Sequence, residues 1–75
     1  MKQIVRSNDL GLISALACVD FQIVSMVKEG NICYFVVEGE GLDVYVERYW
    51  LGGLQVDAQS YFQELKKIKS LIHRM

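Results

Sequence analysis

The spacing of the hydrophobic positions switches along the chain between the two-residue period of a strand and the three-to-four-residue period of a helix, and each switch marks an element. Gln3-Ile4-Val5 is short and β-prone, which predicts an edge strand. Ser7-Asn8-Asp9 then offers side chains that can cap a helix start. Leu10, Ile13, Leu16 and Ala17 recur at helical spacing, with Leu12, Ala15 and Val19 widening the stripe. Asp20 is expected to end this helix, because Asp tolerates left-handed backbone better than most residues.

From Phe21 to Glu38 the pattern predicts a β-hairpin, two β-branched and aromatic runs around the turn signal Lys28-Glu29-Gly30-Asn31. Strict alternation puts Val24, Met26, Cys33, Phe35 and Val37 on one face. Phe21, Ile23, Ser25, Val27, Ile32, Tyr34 and Val36 fall on the other, so both faces are apolar.

Gly39-Glu40-Gly41 reads as a loop. Leu42, Tyr45, Val46, Tyr49 and Trp50 form the stripe of an amphipathic helix, which Gly52-Gly53 stops in left-handed geometry. Leu54-Gln55-Val56 is too short to assign. Asp57 caps a last helix with the stripe Ala58, Phe62, Leu65, Ile68 and Ile72. The expected core is Leu16, Phe35, Val37, Phe62, Leu65 and Ile68. The fold class is therefore α+β: one domain over residues 1–75, an antiparallel hairpin with an N-terminal edge strand and about three helices, in the order β-α-β-β-α-α.

Composition sharpens this picture. A chain of 75 residues hides only about 60–65% of the surface that its unfolded form exposes. Yet 52% of the residues are hydrophobic, which points to a partner subunit. The absence of proline and a mean hydropathy of +0.20 argue against disorder. Cys18 and Cys33 lie in apolar runs and read as small core hydrophobes, which implies a reducing, cytoplasmic setting. Lys2 and Arg6 before the apolar run Leu10–Val19, ending in Ala15-Leu16-Ala17-Cys18, loosely resemble a lipoprotein-type signal peptide. Asn8 and Asp9 stand where the apolar stretch should begin, and the run is too short to span a bilayer, so no membrane association is expected.

The order of features resembles a family of short, uncharacterised prokaryotic domains found in bacteria and in phage or other mobile elements. The resemblance rests on Ser7-Asn8-Asp9-Leu10, Tyr34-Phe35-Val36-Val37, the run from Tyr49 to Ala58, and the run from Leu65 to Ile72. The chain departs from it at Asp20, where Gly would be expected. The resemblance implies the fold, an intracellular placement and a mobile-element setting. It brings no activity and no catalytic residue.

The residues themselves assemble no catalytic constellation. Nucleophilic catalysis needs a Ser or Cys with an oriented base, and the sole histidine, His73, is the third-last residue. Gly39-x-Gly41 lacks the third glycine of a phosphate loop. Glu40, Asp43 and Glu47 share a helix face and could hold a hard cation, but acidic residues at a helix start are already explained by the helix dipole. No cofactor, metal or enzymatic activity is expected.

Two classes of function remain. Charge is bipolar: Glu38, Glu40, Asp43, Glu47 and Asp57 face only Arg48, whereas Lys66, Lys67, Lys69 and Arg74 gather in the last helix against Glu64. That basic helix could contact nucleic acid through Lys66, Lys67, Lys69 and Arg74, although the sequence pI near 5.7 is low for a dedicated binder. The favoured reading is a non-enzymatic interaction or accessory protein, presenting a surface to itself or to another protein. Its expected interface is the second hairpin face, Ile23, Val27, Ile32, Tyr34 and Val36, buried in a homodimer. The competing arrangement lays a helix on each face and leaves no patch.

Overall fold

A computed structural model describes residues 2–74. The elements follow the expected order: β1 (Gln3–Ser7), α1 (Leu10–Cys18), β2 (Gln22–Glu29), β3 (Ile32–Gly39), α2 (Leu42–Trp50) and α3 (Ala58–His73). The strands form one antiparallel sheet in the order β1-β3-β2, so the N-terminal strand is an edge strand beside the hairpin.

Local chemistry explains the boundaries. The Asp9 carboxylate accepts from the Gly11 and Leu12 backbone N–H groups and starts α1. Asp20 takes φ 70° just beyond its end, the left-handed geometry expected there. Gly30 and Asn31 form a two-residue hairpin turn, with positive φ at Gly30 as a type II′ turn requires of its first central residue. Gly52 has φ 78° and Gly53 N–H donates to the Arg48 carbonyl, closing α2. The Asp57 carboxylate accepts from the Ser60 N–H at 2.9 Å and starts α3.

Helices α1 and α2 meet the sheet on one face, and α3 packs against α1 and joins the same core through Ile68. Leu12, Ile13 and Leu16 of α1, Phe35 and Val37 of β3, Leu42 of α2 and Ile68 of α3 form the buried cluster. Residues opposite one another in a ladder share a face, so Val5, Ser7, Ile23, Met26 and Cys33 stand on that side with Phe35 and Val37. Packing runs chiefly through α1, which contacts all three strands and both other helices.

Three expectations need correction. A bulge between Ile23 and Ser25 shifts the register of β2, so Ile23 pairs with Val37 and packs against the core while Val24 turns to solvent. Ile23 is therefore not part of the outer face. Phe62 is 56% exposed and stands outside the core. The inward stripe of α3 instead holds Tyr61, Leu65, Ile68 and Ile72, one residue out of phase with Phe62 at its start. Trp50, the last apolar residue of the α2 stripe, is exposed as well.

Cys18 and Cys33 are half-buried rather than sealed, and they are not joined to each other. Burial, with the nearby Glu64 and Asp57 carboxylates, pushes the Cys18 thiol above its ordinary value. Because the thiolate is the reactive form, Cys18 is expected to react with a disulfide reagent at pH 8 several-fold more slowly than the same residue in urea. Equal rates in the folded and unfolded protein would contradict this environment.

Candidate interaction surfaces

The side of the sheet turned away from the helices is uncovered. It carries Ile4 and Arg6 of β1, Ser25, Val27 and Glu29 of β2, and Ile32, Tyr34, Val36 and Glu38 of β3, as the cross-strand pairs Ile4–Glu38, Arg6–Val36, Val27–Tyr34 and Glu29–Ile32 require. Ile4 is 65% exposed, Ile32 44% and Val27 38%. Tyr34 and Val36, on the central strand, are half-buried. Of the five residues expected at the interface, the structure gathers Val27, Ile32, Tyr34 and Val36 and removes Ile23.

The face is less uniformly apolar than alternation implies. Arg6 lays its guanidinium carbon 4.2 Å from the Tyr34 ring centroid. The same guanidinium pairs with Glu29, reaching across β3. Lys2 and Glu38 pair at 3.1 Å near Ile4. Ile4 and Arg6 escaped the sequence reading because β1 joins the sheet only through β3, a pairing that hairpin logic does not reveal. Their alternation with Val5 was the available signal.

A second surface lies on the helical side. Ala15 of α1, Tyr49 of α2, Leu54 and Val56 of the connection, and Ala58, Tyr61 and Phe62 of α3 line an open groove of about 420 Å³. One end is a polar knot around Gly11. A Cβ at Gly11 would lie 2.7 Å from the Tyr49 hydroxyl and 3.3 Å from that of Tyr61, so only glycine lets both phenols approach the helix. The Tyr49 hydroxyl and the Asp9 carboxylate both border that point beside Gly11. Burial and that carboxylate hold the Tyr49 phenol above its ordinary value, so it remains a neutral donor.

Comparison with known proteins finds no match among family models, curated proteins or solved structures.

The basic residues of α3 are exposed and differently employed. The Lys66 ammonium stands 4.6 Å from the Phe62 ring centroid. Lys67 is tied to Glu64 at 3.4 Å. Lys69 and Arg74 project outward. Among the described residues no three of His, Cys, Asp and Glu converge as a metal-binding group. Nor is any described helix long and apolar enough to cross a membrane.

Proposed function

We propose that the protein is a non-catalytic interaction protein that works as a homodimer through the open face of its sheet. The observation that supports this reading is the uncovered face itself, with Ile4, Val27, Ile32, Tyr34 and Val36 on it while all three helices are spent on the other side. Exposed apolar groups clustered in this way mark association surfaces. A two-fold axis buries such a patch against its own copy. Arg6 and Glu29 pair with each other on the same face, so the patch carries no unbalanced charge from them to repel a second copy. A cytoplasmic accessory role on a mobile element has its support in the resemblance of the sequence, and the cysteines suit a reducing compartment.

Light scattering at micromolar concentration is expected to give twice the 8.6 kDa chain mass. Tyr34→Lys, at the centre of the face, and Ile32→Lys, nearer the hairpin turn, are each expected to give folded monomers with unchanged far-ultraviolet circular dichroism. A wild-type protein that stays monomeric overturns the reading. Folded variants that remain dimeric move the interface elsewhere on the molecule.

A further inference from the structure

We infer that the outward side of α3 and the groove beside it form a binding surface for single-stranded nucleic acid, with unstacked bases on Phe62 and in the groove and phosphates on Lys66 and Lys69. Its central residue, Phe62, is an exposed aromatic on a helix whose other outward groups include the amides of Gln59 and Gln63 and the cations of Lys66, Lys67 and Lys69. Gln59, Phe62, Gln63, Lys66, Lys69 and His73 follow one another along the 16-residue helix at spacings that keep them on neighbouring outward rows. Glu64 is the sole carboxylate within the helix, and Lys67 neutralises it.

Proteins that hold single strands combine a cationic track for the backbone with aromatic rings on which bases stack. Both parts are adjacent here. Phe62 forms one wall of the groove, together with Tyr49 and Tyr61, and the same ring carries the Lys66 ammonium at 4.6 Å. A base stacked on Phe62 therefore brings its phosphate within reach of Lys66, and Lys69 continues the track one turn on. The groove is bounded by aliphatic and aromatic side chains, a fit for the flat face of a base. Duplex, whose bases are already stacked on each other, cannot use it.

The acidic overall balance does not oppose this placement. Asp43 and Glu47 belong to α2, and α2 and α3 each pack mainly against α1 rather than on each other. Of the nearer carboxylates, Asp57 accepts from the Ser60 N–H and Glu64 pairs with Lys67, which leaves Lys66 and Lys69 as the charges along the outward rows, within a Debye length of roughly 10 Å at moderate salt. The surface lies on the helical side of the protein, so the inference stands whether or not the sheet face forms a dimer.

Fluorescence anisotropy with a labelled oligothymidylate tests it, beside a labelled duplex and with poly-glutamate as competitor. The single strand is expected to bind, and to bind more tightly than the duplex. Neutralising two phosphates weakens binding about tenfold between about 50 and 250 mM salt. Phe62→Ala is expected to lose about tenfold, the worth of one stacked base, whereas Phe62→Trp keeps the affinity. Lys66→Gln with Lys69→Gln should flatten the salt dependence. Absence of salt-dependent binding overturns the inference. So does a preference for duplex, an affinity indifferent to Phe62→Ala, or displacement by poly-glutamate as readily as by unlabelled single strand, which would make the surface one for acidic peptides. Circular dichroism on each variant checks that the fold persists, as the exposure of all three side chains leads one to expect.

Discussion

Phe35→Ala is expected to leave most of the protein unfolded, while Phe62→Ala leaves its stability within about 1 kcal/mol of the parent. Phe35 is fully buried on the central strand, opposite Ser7 and Met26 and in the cluster with Leu12, Ile13 and Leu16. Removing a buried phenyl ring costs about 3–5 kcal/mol, because the surrounding side chains collapse only partly into the space. Total stability for a domain of this length is about 4–11 kcal/mol, so the loss is comparable with the whole. Phe62 retains more than half of its accessible surface in the folded state, and its truncation opens no cavity. Urea titrations followed by circular dichroism separate the two: a large drop in midpoint for Phe35→Ala and almost none for Phe62→Ala. Similar losses for both would mean that α3 is rotated and that Phe62 points inward.

That pair of residues also shows where reading the sequence stops. Boundaries were legible because each rests on local chemistry: Asp9 and Asp57 cap their own helices, Gly30 supplies the turn, and Gly52 and Asp20 take left-handed backbone. The element order follows from those boundaries. The phase of α3 was not legible. Tyr61 and Phe62 are adjacent aromatics, and either completes a stripe with Leu65, Ile68 and Ile72. What selects Tyr61 is distant in sequence: its hydroxyl reaches the knot of Gly11, Asp9 and Tyr49 at the start of α1, where a phenol finds polar company that a phenyl ring does not need.

The outer face of the sheet divides in the same way. Val27, Ile32, Tyr34 and Val36 share a side because the ladder next to the turn is regular. Ile23 does not, since one extra residue at Val24 inverts the alternation beyond the bulge. Nothing in the run Phe21-Gln22-Ile23-Val24-Ser25 marks the bulge, because β-branched residues fit either side of a pleat. The bulge also lies on an edge strand, where it disturbs continued pairing with another chain. Association through the open face is thereby favoured over association through that edge.

Gly39→Ala is the second substitution with a large expected effect, and it tests the packing just beyond the bulge. Gly39 ends β3 opposite Gln3, and its lack of a side chain makes room for an aromatic ring. A Cβ there would lie 2.2 Å from Cδ1 and 2.5 Å from Cε1 of Phe21. Phe21 cannot withdraw freely, because its ring meets Tyr45 of α2 edge to face, with centroids 5.1 Å apart. One added methyl group must therefore push apart the strand end, the ring and the helix together. Such overfilling costs about 1–3 kcal/mol, which lowers the melting temperature by roughly 5–20 °C for a domain of this size. Phe21→Leu removes the atoms that clash but sacrifices the contact with Tyr45, so it is destabilising by itself. In the double variant the alanine meets a smaller neighbour, and its added cost should fall by about 1 kcal/mol or more, the non-additivity expected of groups in contact. Thermal melts of the four proteins measure that coupling. Strict additivity would mean that the strand end gives way without the ring, and that Gly39 is needed for its backbone rather than for the space it leaves.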